Sequence, residues 1–330
     1  MTVLYTNYQL VTLTIDEFNS FSGIQAAPDD ITTAVHLDLL HSGLISFLDK
    51  LGALSARILG TIGGDTITAG IGSDTITGGK GNDVLFGLQG IDRLHGDIGD
   101  DRLYGGRNSD KLFGGDGNDQ LFGGSSNDTM YGGSGDTLIG GAGNDTYYLT
   151  EGMTAIIVEG EAGGIDTLYT DREVNSPIAG LENITAIGND NARLTGNDLA
   201  NVLIGNEFAN TFFGNGGNDT MTGGAFIDAF FFSDTNSVDR ITDFNTADDD
   251  IMLNAAWFDG LAFNGGGPIA ASEFKEISTG IVDSSDRILY NFQSGKLFYD
   301  ADGAGGVDSV LFAILQGLPF LTASDINLTL

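Results

Sequence analysis

The chain has 330 residues, and its 13 Lys and Arg residues against 46 Asp and Glu residues give a formal net charge of −33. That charge argues against nucleic acid or an anionic membrane surface as a partner, and it favours cations. The chain contains no cysteine, which excludes disulfides and thiol chemistry. Because the hydrophobic fraction of 41% is too high for simple disorder, we expect a compact fold that needs its charge neutralised.

Residues 1–58 contain no repeat. Val3 to Ile15 alternates loosely and predicts one or two strands. Asp29 or Asp30 is a candidate N-cap for a short helix. The apolar residues that this helix would carry are Val35, Leu39, Leu40, Leu44, Leu48 and Leu51. The chain start lacks the basic region of a secretory signal peptide, and no apolar run reaches the roughly 18 residues of a membrane span, so we expect any export signal to lie elsewhere.

Between Gly60 and Tyr148, an aspartate returns every nine residues. The aspartates are Asp65, Asp74, Asp83, Asp92, Asp101, Asp110, Asp119 and Asp128, followed by Asp136 in one eight-residue unit and by Asp145. The best-formed units, at 78–86 and 114–122, read G-G-x-G-x-D-x-U-x, where U is a large apolar residue. Glycine at positions 1, 2 and 4 permits positive φ and close approach of neighbouring chain, so each G-G-x-G-x-D predicts a turn.

The last three positions of each unit predict a short strand that buries position 8 and exposes positions 7 and 9. Position 8 is a column of Ile67, Ile76, Leu85, Leu94, Leu103, Leu112, Leu121, Met130, Leu138 and Tyr147. A turn and a short strand make half a winding. We therefore expect two units per winding, with residues 18 apart stacked about 4.8 Å from one another.

This stacking predicts two columns of aspartate side chains. Carboxylates about 5 Å apart repel by roughly 3 kcal/mol per pair at an effective dielectric constant near 20. Calcium would relieve this repulsion, because it takes six to eight oxygen ligands and tolerates a flexible glycine-rich loop better than magnesium does. The alternative is that these residues only form turns, but turn formation does not require aspartate at one fixed register.

The nonapeptide resembles the calcium-binding β-roll repeat of the repeats-in-toxin (RTX) proteins. The resemblance implies an all-β parallel β-roll that holds several Ca²⁺ ions. It also implies an extracellular location, on the bacterial cell surface or free, reached through type I secretion machinery. The implied metal ligands are Asp65, Asp74, Asp83, Asp92, Asp101, Asp110, Asp119, Asp128, Asp136, Asp145, Asp219 and Asp228.

The second half resembles the same family less closely. Nine-residue spacing returns with Ala192, Asn201, Asn210, Asp219 and Asp228 at position 6. Because asparagine is neutral, we expect weaker calcium binding there, with an asparagine ladder as the alternative. Asn215 and Phe226 stand where the repeat has glycine, which weakens the case for Asp219 and Asp228 as ligands. We expect Trp257 and the three phenylalanines 230–232 in the core of the C-terminal part.

The repeat spacing predicts a non-repeat segment (1–58), a first calcium β-roll (59–149) and a second partial roll (189–233). The remaining residues resemble other parts of RTX proteins, and the resemblance implies a β-rich connector (150–188) and a C-terminal cap with a type I secretion region (234–330). The names first roll and second roll are kept below for residues 59–149 and 189–233.

The expected function is that of a non-enzymatic protein that folds on binding extracellular calcium, with a scaffold or adhesion and matrix role. The aromatic position-9 residues are Phe86, His95, Tyr104, Phe113, Phe122 and Tyr131. They either bind a surface glycan or matrix partner or stack across strands. A hydrolase with an unrecognised site in the N-terminal segment or the cap is the alternative, although no metalloprotease or nucleophile-elbow motif is present.

Overall fold

The computed structural model describes residues 11–15, 35–39, 44–45, 55–150, 155–160, 163–171, 173–263, 265–278, 280–303 and 309–330. These residues form thirty strands and one 3-10 helix, at Ala323–Asp325. The predicted all-β fold is therefore confirmed. The chain divides into two compact units, Met1–Asp166 and Thr167–Leu330.

Fifteen strands lie in the first unit. They are β1 (Val11–Ile15), β2 (Val35–Leu39), β3 (Leu44–Ile45), β4 (Ala56–Leu59), β5 (Thr66–Thr68), β6 (Thr75–Lys80), β7 (Val84–Gln89), β8 (Arg93–Ile98), β9 (Arg102–Arg107), β10 (Lys111–Asp116), β11 (Gln120–Ser125), β12 (Thr129–Gly132), β13 (Thr137–Ala142), β14 (Thr146–Leu149) and β15 (Ile156–Val158).

The strands of the first roll form two parallel stacks, one of even-numbered and one of odd-numbered strands. Thr75 of β6 pairs with Arg93 of β8, and Val84 of β7 pairs with Arg102 of β9, so partners are two nonapeptides apart. At the eight-residue unit, Gln120 pairs with Thr137, which shortens the step by one residue and keeps the register. Two units therefore make one winding, as predicted.

The core of the first roll is the predicted column of position-8 side chains, from Ile67 to Tyr147, and every member is fully buried. Because alternate residues of a strand share a face, position 6 points into the same interior as position 8. The repeat aspartates are consequently buried as well, with Asp101 only 1% exposed. An array of carboxylates thus lies beside an array of apolar side chains.

The predicted helix near residue 35 is wrong over β2 and β3. These residues form strands: β2 pairs in parallel with β1 and β4, and β3 pairs with β5. The segment from Val35 to Leu39 alternates apolar and polar residues, which is the period of a strand. The remaining residues of the predicted helix lie outside the described residues.

The second unit contains the other fifteen strands. They are β16 (Thr167–Thr170), β17 (Asn183–Ala186), β18 (Ala192–Thr195), β19 (Val202–Ile204), β20 (Asn210–Phe213), β21 (Thr220–Thr222), β22 (Ala229–Phe232), β23 (Asp239–Ile241), β24 (Asp250–Asn254), β25 (Gly267–Pro268), β26 (Phe274–Glu276), β27 (Ile288–Asn291), β28 (Lys296–Tyr299), β29 (Val310–Leu315) and β30 (Ile326–Thr329).

Two parallel stacks recur in the second unit, β16-β17-β19-β21-β23 and β18-β20-β22-β24. Two later strands extend them, because β29 pairs in parallel with β23 and β30 pairs in parallel with β24. The antiparallel run β27-β28-β29 follows the winding. Strands β29 and β30 from the C-terminal part therefore cover the last strands of the two stacks, β23 and β24.

The predicted core of this C-terminal part needs two corrections. Phe230 and Phe232 are buried, but Phe231 lies on the other face of β22, half-buried and stacked on Phe213, and Trp257 is 57% exposed. The chain turns after β24, where the amide of Trp257 donates to the carbonyl of Asn254, and the neighbouring Phe258 takes the fully buried place instead. Phe258 packs edge-on against Phe312 and Tyr299.

Candidate metal centre

The aspartates of the first roll form two hydrogen-bonded columns. From Asp65 to Asp128, the backbone N–H of each repeat aspartate donates to Oδ1 of the aspartate one winding later, as from Asp83 to Asp101 at 2.7 Å and from Asp110 to Asp128 at 2.8 Å. The other steps, starting from Asp65, Asp74, Asp92, Asp101, Asp119 and Asp128, have lengths of 2.6 to 2.8 Å. The predicted columns are therefore present, and one oxygen of each carboxylate is held by backbone.

The second carboxylate oxygen is buried without a hydrogen-bond donor in most of these residues. The residues whose Oδ2 is in this state are Asp83, Asp92, Asp101, Asp110, Asp119, Asp128 and Asp145 in the first roll, and Asp219 and Asp228 in the second. A buried charged acceptor without a partner costs at least about 1–3 kcal/mol. Because these unpartnered Oδ2 atoms recur at the same position of successive repeats, each of these turns offers a place for a cation.

Glycine keeps this place open. A Cβ atom added to Gly105 would lie 2.6 Å from Oδ2 of Asp110 and 2.7 Å from the carbonyl oxygen of Gly123. Two units later, a Cβ on Gly123 would lie 2.5 Å from Oδ2 of Asp128. The space beside each of these position-1 glycines is therefore lined by carboxylate and carbonyl oxygens, and any side chain would fill it.

These donors fit calcium. Carboxylate and peptide carbonyl oxygens are the ligands that hard cations take, and the first roll offers neither thiolate nor imidazole at its turns. The RTX repeats bind Ca²⁺, and the row of buried aspartates is consistent with calcium sites. Bound calcium would supply positive charge to the unpartnered oxygens, and the fold sets the distances between those oxygens.

Burial has a measurable electrostatic consequence in the metal-free chain. It raises the pKa of Asp110 to about 7 and the pKa of Asp128 to about 8, and the like charges of neighbouring aspartates in the column add to the shift. The pKa of Asp83 rises to about 6 for the same reasons. Ionising the columns near neutral pH is therefore unfavourable without a cation.

In three predicted ligands, a backbone amide donates to Oδ2, the oxygen that has no donor in most of the other ligands. Oδ2 of Asp65 accepts from the Thr61 amide at 2.6 Å, and Oδ2 of Asp74 accepts from the Gly70 amide at 3.1 Å. In the eight-residue unit, Oδ2 of Asp136 accepts from the amide of Gly133 at 2.5 Å. Asp65 nevertheless keeps a buried Oδ1 without a donor, so Asp74 and Asp136 are the two of these positions that need a cation less than the middle of the roll does.

In the second roll, asparagine side chains donate hydrogen bonds to backbone carbonyl oxygens of the turns. The Nδ2 of Asn201 donates to the Leu181 carbonyl at 2.9 Å, and the Nδ2 of Asn210 donates to the Phe208 carbonyl at 2.5 Å. The backbone ladder continues, because the amides of Asn201 and Asn210 donate to the Oδ1 atoms of Asp219 and Asp228. The side-chain amides thus donate mainly to carbonyl oxygens, and Oδ1 of Asn201 accepts from the backbone amide of Asn197 at 2.7 Å.

The two departures from the repeat do not change the turn conformation. Asn215 has a φ of 68° and Phe226 a φ of 67°, so both adopt the left-handed backbone that glycine takes at these positions. A non-glycine residue there costs about 1–2 kcal/mol. The second roll therefore keeps the turn geometry around Asp219 and Asp228 at an energetic cost.

Sequence reasoning missed four acidic residues near the columns, and three of them continue the columns. The amide of Asp145 donates to Asp166 at 2.7 Å, and the amides of Asp219 and Asp228 donate to Asp239 and Asp249 at 3.0 Å. Glu159 joins Asp145 and Asp166 in a group whose ligand atoms lie within 4.8 Å of one another. None is on the nine-residue period, although each of the three aspartates has an apolar residue two positions later, as in the repeat.

The aromatic residues at position 9 stack along the roll. On one side, Phe86, Tyr104 and Phe122 have centroid separations of 4.8 and 4.7 Å. On the other side, His95, Phe113, Tyr131 and Tyr148 stack with separations of 4.5 to 4.8 Å. Each inner ring is covered on both faces by its neighbours, which favours the cross-strand stabilising role.

Among the described residues, no helix has the length and apolar character that crossing a bilayer requires. A comparison with curated protein sequences found no match. The chain does match the sequence profile of the RTX calcium-binding nonapeptide repeat (4 copies) at residues 59–94, 86–121, 104–139, 136–152 and 195–229. Residues 59–152 and 195–229 therefore belong to the family of RTX calcium-binding repeats, as the resemblance of the nonapeptide predicted.

Proposed function

We propose that this protein is a secreted, non-enzymatic scaffold whose first roll folds when it meets extracellular calcium. The observation that carries the proposal is the set of buried Oδ2 atoms without a donor, which recurs from Asp83 to Asp128. Without a cation the columns repel and keep the chain open, and an open chain suits passage through type I secretion machinery.

The energetics support a steep response to calcium. Extracellular calcium modules bind with dissociation constants of roughly 10⁻⁴–10⁻³ M. At millimolar calcium, each such site adds up to about 1.4 kcal/mol to the stability of the folded state. Because the sites share carboxylates along one column, filling one site orders the ligands of the next.

The stacked aromatic residues support a structural role more than glycan binding. A sugar packs against the open face of a ring, and the faces of Tyr104 and Phe113 are covered by their neighbours on each side. The ring edges remain half exposed, so an adhesion or matrix role would depend on other surface groups.

The test is a calcium titration of the full chain followed by far-UV circular dichroism. Asp101→Ala removes a ligand from the middle of one column, and it also removes the acceptor of the Asp83 amide. We expect the calcium midpoint to rise several-fold. Asp116→Ala removes the same charge from an exposed residue of the same roll and should leave the midpoint unchanged. A wild-type spectrum that is fully β in excess chelator would contradict the proposal.

A further inference from the structure

An acidic cluster of the first unit joins the last repeat to the non-repeat chain that follows it. Asp145 belongs to the last repeat, Glu159 follows β15, and Asp166 ends the unit. Their carboxylate oxygens lie within 4.8 Å of one another. The repeat turns bring together carboxylates from successive windings of one column, whereas this place adds a third carboxylate from a segment without the repeat pattern.

The side chains around the cluster are arranged as a site. Asp145 is 1% exposed, and its Oδ2 has no hydrogen-bond donor. Oε2 of Glu159 is likewise buried without a donor, while its Oε1 accepts from the hydroxyl of Tyr147. Tyr147 occupies position 8, which is leucine in most units of the roll. A core side chain therefore holds Glu159 in place through this hydrogen bond.

Two glycines leave the space between these groups open. A Cβ atom on Gly140 would collide with Oδ2 of Asp145 and the hydroxyl of Tyr147, and it would lie 2.6 Å from Oε1 of Glu159. A Cβ atom on Gly163 would lie 3.0 Å from Oε2 of Glu159 and 3.2 Å from the carbonyl oxygen of Gly141. Carboxylates from three segments therefore converge with a backbone carbonyl nearby.

We propose that Asp145, Glu159 and Asp166 form a three-carboxylate calcium site that closes the end of the first roll and binds more tightly than the repeat sites. The extra carboxylate supplies the tighter binding, since calcium affinity rises with the charge of the ligand set. The placement supplies the structural role. The winding continues past the last repeat without the repeat pattern, because β15 pairs with β13 and the amide of Asp145 donates to Asp166, and this site ties the last repeat to that non-repeat chain.

The inference rests on the calcium-dependent folding proposed above, and its test is chosen to separate the two. Calcium binding by the full chain is measured by equilibrium dialysis and calorimetry in wild type, Glu159→Gln and Glu207→Gln. The first substitution removes one carboxylate with little change of shape, and Glu207 is exposed in the second unit and serves as the control. We expect one ion to bind at least about tenfold more weakly in Glu159→Gln alone.

A second measurement keeps the inference testable if Glu159→Gln does not fold. Terbium replaces calcium at oxygen sites and emits when a nearby tyrosine is excited. Tyr147 contacts the site through Glu159, whereas its neighbour Tyr148 lies on the opposite face of β14 and stacks on Tyr131. We expect Tyr147→Phe to lower terbium emission several-fold more than Tyr148→Phe does.

The outcomes are distinct. Wild-type calcium folding together with unchanged binding in Glu159→Gln overturns the three-carboxylate site and leaves the proposed function standing. Equal loss of terbium emission in the two tyrosine variants also overturns the site. A wild-type chain that binds no calcium and folds without it overturns the proposed function as well.

Discussion

In the first roll, the buried residue at position 6 is aspartate in every unit, whereas the second roll has asparagine there at Asn201 and Asn210. Both rolls wind in the same way, with parallel partners two units apart. They differ in how the buried polar group is satisfied. An asparagine amide donates to backbone carbonyls, while an ionised aspartate has only acceptors.

From this difference we expect the folding of the two rolls to depend on calcium to different degrees. Asn210 donates to the carbonyls of Phe208 and Gly223, so its side-chain amide is satisfied within the fold. Its Oδ1 is buried without a donor, but that oxygen is neutral and costs less to leave unpartnered than a carboxylate oxygen does. At Asp101 and Asp119 in the first roll, the corresponding carboxylates keep an unpartnered oxygen. We therefore expect the first roll to depend on calcium much more than the second, although Asp219 and Asp228 leave a smaller dependence there.

The largest expected effect is that of removing calcium. In excess chelator, the first roll should lose its strands, since its columns of carboxylates are left without a counter-ion. Limited proteolysis followed by mass spectrometry should then show cleavage within 59–149 well before cleavage within 189–233. Cleavage at equal rates in both regions, with and without chelator, would remove the distinction between the two rolls.

Acid should partly replace calcium. Burial and like charge raise the pKa of Asp83 to about 6 and that of Asp128 to about 8 in the metal-free fold, above the ordinary value of 3.8. Protonation therefore stabilises the metal-free fold, fully below about pH 4, and this stability is lost as the pH rises through about 6 to 8. In chelator, circular dichroism should show β structure returning between about pH 8 and about pH 5.

Calcium binding itself should respond to acid in the opposite direction, because protons compete with calcium for the same oxygens. The apparent dissociation constant for calcium, measured by equilibrium dialysis, should rise as the pH falls from about 8 to about 5. A metal-free chain that becomes less ordered as the pH falls toward about 5 would contradict the role given to the buried carboxylates.

Filling one site with a methyl group should have a smaller but clear effect. Gly105→Ala places a Cβ between Oδ2 of Asp110 and the carbonyl oxygen of Gly123, with no change in the sign of φ. We expect the calcium midpoint to rise several-fold. Asp116→Ala, at an exposed position of the same roll, is the control and should titrate like wild type. Equal midpoints for the two variants would show that the space beside Gly105 holds no ion.

The smallest expected effect comes from making the second roll more like the first. Asn210→Asp removes the amide that donates to Phe208 and Gly223 and adds a carboxylate beside Asp228. Urea unfolding in chelator should show a loss of roughly 1–3 kcal/mol, with partial recovery in calcium. Asn191→Asp, at an exposed position of the same roll, is the control. Equal stability of the two variants would mean that the Asn210 amide is not needed.

Much of the first roll was predictable because its sequence is periodic. The nine-residue repeat specified the turns, the buried column from Ile67 to Tyr147 and the pairing two units apart, and all three are observed. The predicted helix over 35–39 failed because apolar residues at helical spacing outweighed the alternation from Val35 to Leu39, while pairing with β1 and β4 fixed a strand.

The placement of residues that do not follow the nine-residue repeat could not be predicted from the sequence. Glu159 reaches the last repeat from a segment with no motif, and the exposure of Trp257 depends on which of two adjacent aromatic residues enters the core. Asp239 and Asp249 enter their columns after loops whose lengths break the nine-residue count.

The repeat, its winding and the family of its nonapeptides could be read from the amino-acid sequence, because each unit carries the same short pattern of residues. Which carboxylate oxygens lack a donor could be read only from the folded chain. That property depends on the path of each turn and on the neighbours one winding away. The Gly133 amide, for example, reaches Oδ2 of Asp136 within its own turn, whereas Oδ2 of Asp119 has no such donor.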